Sequence, residues 1–288
     1  DEALALAVSW LKPIREEAPE RLAFYTGRDQ SQSLTGFWAQ AFGTPNYAAH
    51  GGFCSVNMAA GGIMTLGGAF WEFGAPDWER ARLLLLWGVA EDHDSNPIKI
   101  GLGRLKARGA RLIGINPVRT GYNAVADEWL GITPGSDGLL ALSLVHCLLR
   151  AGRVDLPFLA RFTNAPCLVV GDERSPQAGL LLRDEEGRPL VIDRRTQRPA
   201  PWDGEGVEPD LTGSLRVRGV THKPVLHHLA ARYLSDDHAP ETVAPRIGLP
   251  AARIRALAAE LAEAAFDGEP VVLDRPWTDF RGVRHATM

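Results

Sequence analysis

A chain of 288 residues that is 45% hydrophobic and 23% charged can bury one substantial core or two modest ones, and this is not the composition of a disordered segment. Its 31 Lys and Arg against 35 Asp and Glu give a net charge of -4 with no basic block, so nothing here provides the electrostatic footprint of a nucleic-acid binder. The three cysteines, Cys54, Cys147 and Cys167, are odd in number and contain no CxxC pair, which argues against a disulfide framework or a self-contained cluster site. Reduced thiols and a cytoplasmic location are expected, and the longest apolar runs, such as residues 138–149, are too short to span a bilayer. The chain opens at Asp1 inside an amphipathic pattern and closes at Met288 after a charged turn. Both ends are therefore expected to be cuts, with any signal peptide or amino-terminal metal domain lying outside.

Residues 2–17 place Leu4, Val8, Leu11 and Ile14 at helical spacing. A short strand is expected at 22–25, ending at Gly27, and a second helix at 33–42. Gly43 and Pro45 then break the pattern ahead of a glycine-rich stretch at 50–62. The clearest α/β signal follows. Residues 83–87 form a continuous apolar run suited to a parallel strand buried on both faces, and the run stops at Gly88. A polar loop at 89–96 leads through Pro97 to a helix at 98–108, Gly109 ends it, and 110–115 supplies the next strand. The series is a βαβ unit with an expected right-handed crossover; ligands in such sheets gather at the carboxyl ends of the strands, where 88–96 and 116–120 fall. A further segment at 124–129 enters Pro134-Gly-Ser-Asp137, and 138–150 reads as an apolar helix with Asp137 as a candidate cap. Residues 171–219, rich in Pro, Gly and charge, predict a hairpin-bearing insertion with alternating pieces at 179–183 and 189–193. Helical patterning resumes at Pro224, continues through 253–265, and gives way to a strand at 270–273. The expected class is α/β, with mostly parallel Rossmann-like sheets flanked by helices and a β-hairpin insertion.

Cys54 lies among Gly51, Gly52, Gly61 and Gly62, which would let a bulky ligand approach the backbone. Its thiolate would suit a high-valent metal held otherwise by sulfur, although a lone cysteine equally serves as a small buried hydrophobe. Asn116-Pro-Val-Arg-Thr120 and Pro134-Gly-Ser-Asp137 offer a guanidinium for phosphate, backbone amides, and a carboxylate able to accept from a purine. The competing assignment for Asn116, Ser136 and Asp137 is turn and cap duty. Neither G-x-G-x-x-G after a strand nor G-x-x-x-x-G-K-[ST] occurs, which disfavours ordinary NAD and ATP sites. Glu91-Asp-His-Asp94 cannot turn four consecutive side chains toward one ion, so it suits cofactor hydrogen bonding better than a dedicated metal site. His227 and His228 diverge at the start of a helix and are assigned surface or packing duty, His238 belongs to a turn, and Cys147 on the apolar face of its helix and Cys167 entering a strand are assigned packing duty.

In order and spacing, Phe24-Tyr-Thr-Gly-Arg28, the segment from Gly51 through Cys54 to Ala59, the segment from Trp87 to Pro97, Asn116-Pro-Val-Arg-Thr120 and Pro134-Gly-Ser-Asp137 resemble the dimethyl sulfoxide reductase superfamily of molybdopterin oxidoreductases. The resemblance covers most of residues 1–170 and is weakest over 171–219. It implies a molybdenum chelated by two molybdopterin guanine dinucleotides, with Cys54 as protein ligand and catalytic residue. It further implies cofactor contacts from Arg28, Ser55 and Asn57, from Gly88, Ala90, Asp94 and Asn96 after the first strand, from Asn116, Pro117 and Arg119 after the second, and from Ser136 and Asp137 near the guanine. Ala90 stands where many relatives have Asn, and Ser55 stands where formate dehydrogenases commonly have His, which counts against formate. The wording around Cys54 is most similar to the branch of quinone-linked sulfite dehydrogenases and polysulfide and thiosulfate reductases. The implied reaction is two-electron redox or oxo transfer on a small sulfur oxyanion, with sulfite oxidation favoured. A formate dehydrogenase or nitrate reductase of the same superfamily, or a non-catalytic nucleotide-binding or assembly module, are the alternatives. A 4Fe-4S cluster in the amino-terminal part outside this chain, an iron–sulfur electron-transfer subunit, and a membrane quinone-linked subunit through which the protein would associate with the membrane are implied with it. The implied domains are 1–48 as the first part of an α/β domain, 49–222 as an inserted Rossmann-like dinucleotide-binding domain carrying the insertion 171–219, and 223–288 as the return segment of the first.

Overall fold

A computed structural model describes residues 1–27, 32–53, 55–66, 77–89, 98–119, 121–279 and 281–287. The chain divides into two compact units, Asp1–Pro76 and Asp77–Met288.

In the first unit α1 (Glu2–Glu17) precedes β1 (Ala23–Thr26), α2 (Gln32–Phe42), β2 (Asn46–Ala49), α3 (His50–Phe53) and α4 (Ser55–Leu66). The two strands pair in parallel, Ala23 opposite Asn46 through Thr26 opposite Ala49. Aromatic packing ties α2 to this ribbon, since the Phe24 ring lies 5.0 Å from Trp38 and 6.0 Å from Tyr47. Gly43 leaves α2 at φ +101, a left-handed turn that glycine makes without a Cβ penalty, and β2 begins three residues on. Residues 50–53 and 55–62 of the glycine-rich stretch are helical despite the low propensity of glycine. A Cβ at Gly52 or Gly61 would meet nothing within 4 Å.

The second unit is organised by a parallel sheet in the order β3 (Leu83–Trp87), β4 (Arg111–Ile115), β5 (Glu128–Leu130), with α5 (Ile98–Ala107) between the first two strands in sequence. The apolar run at 83–87 is covered on both faces. Leu83, Leu85 and Trp87 pack with Ile113, Ile115 and Leu130 against one core, whereas Leu84 and Leu86 join Leu112, Leu102 and Tyr122 in another. That alternation explains why the strand reads as uninterrupted hydrophobe. Next come α6 (Asp137–Arg150), α7 (Leu156–Phe162) and β6 (Leu168–Val169). The insertion follows as β7 (Leu190–Asp193), β8 (Arg198–Pro201) and β9 (Pro209–Asp210) in one antiparallel sheet, then β10 (Leu215–Val217) and β11 (Val220–Pro224), which form a hairpin whose second strand pairs with β6. The piece at 179–183 contributes only isolated bridges at Leu181 and Arg183.

Downstream lie α8 (Val225–Tyr233), α9 (Pro240–Ile247), α10 (Ala251–Phe266) and the antiparallel pair β12 (Val272–Thr278) and β13 (Arg284–Thr287). Val243 and Ile247 of α9 and Ile254 and Leu257 of α10, all fully buried, pack with Leu140 and Leu144 of α6 on the first face of the β3–β5 sheet. An ion-pair network fastens α10 to the sheet edge: Arg253 donates to Glu128 at 2.6 and 2.8 Å, and Arg111 reaches both Glu128 (2.5 Å) and Glu260 (2.6 Å). Cys147 packs against the α6 core, and Cys167 is buried with its thiol pushed up to about 11, which fits the packing role expected of both. Among the described residues no helix is long and apolar enough to cross a membrane.

Candidate cofactor site at the strand ends

Parallel register brings three strand ends level, because Trp87 lies opposite Ile115 and Ile115 opposite Leu130. The first residues beyond are Gly88, Asn116 and Gly131. Gly88 adopts φ +71 and donates its N–H to the Ile115 carbonyl at 2.9 Å, so the chain turns away from the sheet immediately after β3. A Cβ there would meet nothing within 4 Å among the described residues, and a bound group could approach that backbone closely.

Asn116 is buried, and both its oxygens are spent on shape. Its Oδ1 accepts from the Val118 N–H at 3.2 Å, an Asx turn, and its carbonyl accepts from Trp129 Nε1 at 2.8 Å. That turn leaves Pro117 and Arg119 exposed, and Arg119 has no ion-pair partner among the described residues. An uncommitted guanidinium at a strand end is suited to a phosphate or another planar anion.

Ser136 is also buried, and its hydroxyl donates to the Thr133 carbonyl at 2.6 Å, closing the turn ahead of α6. Ser136, not Asp137, is the N-cap, and it makes no side-chain cap bond because its hydroxyl is committed backwards. Asp137 sits exposed in the first helical turn, where its Oδ1 accepts from Trp87 Nε1 at 2.7 Å. The indole at the end of β3 thus orients the carboxylate beside Gly88 and leaves Oδ2 without a partner among the described residues. Sequence reasoning did not single out Trp87, since inside an apolar run it reads only as core.

Gly88, Asn116, Pro117, Arg119, Ser136 and Asp137 therefore gather around the strand ends of the second unit, with Arg119, Asp137 and the Gly88 backbone presenting groups to solvent. In the first unit Asn57 is exposed on α4, and Ser55 opens that helix. Arg28, Cys54, Ala90, Asp94 and Asn96, together with the Ser55 side chain, lie outside the described residues. Among the described residues no three His, Cys, Asp or Glu side chains converge as a metal site. The His227 and His228 rings stand at 87° to each other, and His227 Nε2 contacts Lys223 Nζ at 2.9 Å. Burial first, then the Lys223 charge, hold His227 below its ordinary value, in line with the packing role expected of it.

The family profile described as molybdopterin oxidoreductase matches residues 1–207. The chain belongs to the molybdopterin oxidoreductase family. Along its whole length it is 46% identical to a sulfite dehydrogenase subunit from Allochromatium vinosum, over 298 aligned residues that cover 30% of that protein. A tetrathionate reductase subunit from Salmonella typhimurium is 28% identical over 194 residues, 58% of this chain and 19% of its own. The thiosulfate reductase molybdopterin-containing subunit of the same organism is 27% identical over 157 residues, 52% of this chain and 19% of its own. The chain spans less than a third of the length of these curated relatives. Membership implies a molybdenum–molybdopterin cofactor. The strand-end residues fit its polar end: a free guanidinium for phosphate, a bare glycine backbone for close approach, and a held carboxylate for N–H donors.

Proposed function

We propose that this chain is the cofactor-binding core of the catalytic subunit of a molybdenum bis(molybdopterin guanine dinucleotide) oxidoreductase that acts on a small sulfur oxyanion, in the direction of sulfite oxidation. The observation that carries the reading is the 46% identity, along the entire chain, to part of a sulfite dehydrogenase; the tetrathionate and thiosulfate reductase relatives support the sulfur chemistry. In this reading Cys54 supplies the one protein thiolate to the metal, and Arg28, Ser55 and Asn57 hold the pterin side. Ala90, Asp94 and Asn96 follow Gly88 along the cofactor, Asn116 shapes the turn that offers Pro117 and Arg119, and Ser136 and Asp137 hold the guanine end. When bound, the cofactor supplies two-electron redox and oxo-transfer chemistry, and the protein binds, orients and insulates it. The dinucleotide-binding domain expected at 49–222 takes in the helices of 223–288 as well, since Val243, Ile247, Ile254 and Leu257 share one core with Ile113, Ile115 and Leu130 of the parallel sheet. A 4Fe-4S cluster outside this chain, an iron–sulfur protein partner and a quinone-linked membrane partner carry the electrons away, and through them the protein sits at the cytoplasmic side of the membrane.

The test uses the full-length protein in its complex. Molybdenum is measured by metal analysis, and turnover is measured with sulfite, thiosulfate, polysulfide, nitrate and formate against a dye donor or acceptor. Sulfite is expected to turn over, and Cys54→Ala is expected to abolish it. Turnover of nitrate or formate without sulfite would overturn the substrate. A protein without molybdenum, or Cys54→Ala with unchanged turnover, would leave a nucleotide-binding or assembly module in its place.

A further inference from the structure

The short turn Gly121–Ala124 between β4 and β5 carries two buried polar groups that have no hydrogen-bond partner among the described residues, the Tyr122 hydroxyl and Asn123 Oδ1. Asn123 is 0% exposed, yet it makes one outward connection: its Nδ2 donates to the Val89 carbonyl at 3.2 Å. Val89 is the residue after Gly88, so this single bond joins the Asn123 turn to the segment leaving β3. The space for the amide comes from Gly114, the last residue but one of β4, where a Cβ would stand 2.1 Å from Asn123 Oδ1.

A leucine would fill this position with no desolvated acceptor. Local rules of this kind are broken where the residue does something else. What the amide does here is fix the carbonyl next to a left-handed glycine at the strand end. We propose that Asn123 is a positioning residue for the cofactor, one that holds the Gly88–Val89 turn in the conformation that receives the molybdopterin nucleotide. The inference rests on the cofactor reading above and assigns to it a residue that touches neither metal nor substrate.

The experiment uses full-length protein with Asn123→Leu, which keeps the amide's branching at Cγ with some added bulk and removes the donor and the orphaned acceptor together. Molybdenum and pterin per folded chain are measured at limiting molybdate, the Mo(V) electron paramagnetic resonance spectrum is recorded, and Tm is taken on protein from molybdate-starved cells. The expected result is at least a threefold fall in molybdenum and pterin and a broadened Mo(V) spectrum, with a cofactor-free Tm no lower than wild type. Asn123→Asp keeps the shape but turns a carboxylate oxygen toward the Val89 carbonyl; it is expected to lose cofactor to a similar extent, and it decides the matter if the leucine variant does not fold. Wild-type loading and an unchanged spectrum in the variant that folds would overturn this inference alone. A wild-type protein that carries no molybdenum would overturn both this inference and the reading on which it rests.

Discussion

Gly114→Ala adds one methyl group near the carboxyl end of β4, and the structure sets the size of the response. The new Cβ would lie 2.1 Å from Oδ1 and 3.0 Å from Cγ of Asn123. Non-bonded contact begins at about 3.5 Å, so the amide must retreat by more than about 1 Å from a position with no exposed surface. Overpacking of this kind costs about 1–3 kcal/mol. The 3.2 Å bond to the Val89 carbonyl is lost with the retreat, at about 1 kcal/mol. Replacing glycine in a strand returns about 0.5–1 kcal/mol. The net expectation is a loss of about 1–3 kcal/mol, read as a fall in Tm of roughly 3–10 °C for a unit of this size. Gly103→Ala is the control: it lies exposed in α5 with nothing within 4 Å of its added Cβ, so it is expected to stabilise by about 0.5–1 kcal/mol. Urea and thermal unfolding of the two full-length variants measure both signs. A Gly114→Ala protein as stable as wild type, or one less affected than Gly103→Ala, refutes the packing argument.

Gly88→Ala introduces no clash but forces a side chain to φ +71, so about 1–2 kcal/mol of stability is expected to be lost with a fall in molybdenum content, and Gly88→Asn should be milder in both. Arg253→Met removes two hydrogen bonds from the partly buried Glu128 and should cost about 1–3 kcal/mol by denaturant titration. Glu128 is held below its ordinary value chiefly by Arg253, so its contribution is present above the unfolded value near ~4.3 and fades as pH falls through the lower folded one. The wild type should therefore lose more stability than the variant on acidification, and equal acid slopes would count against the pair. Burial raises the Cys167 thiol to about 11, so its contribution is full below the unfolded value near ~8.5 and is lost as pH rises toward the folded one. Alkylation at pH 8 followed by mass spectrometry should leave Cys167 unmodified until the protein unfolds, and rapid labelling of the native state would contradict its burial.

Local chemistry made part of this architecture readable in advance. The run at 83–87 predicted a strand covered on both faces, and the two cores that divide its alternate residues are the physical content of that pattern. Gly109 ends α5 at φ +77, the left-handed exit that a helix C-terminus favours. Other elements were not readable, for two reasons. β2 consists of Asn46, Tyr47, Ala48 and Ala49, a composition with little strand signature, and it exists because β1 and the α2 aromatics are beside it. The helices through the glycine-rich stretch form against local propensity, which tertiary context can override.

The strand-end site divides in the same way. Gly88, Asn116, Arg119 and Asp137 announce themselves because glycine, asparagine, arginine and aspartate after strands have few uses besides turns and ligands. The residues that aim them do not. Trp87 is indistinguishable in sequence from the leucines before it until its indole N–H is found on Asp137, and Asn123 reads as an ordinary turn residue until it is found fully buried against Gly114. Chemistry that contacts a ligand is thus written in residue type, whereas chemistry that positions those contacts is written in which strands and turns meet, and only the fold reveals it.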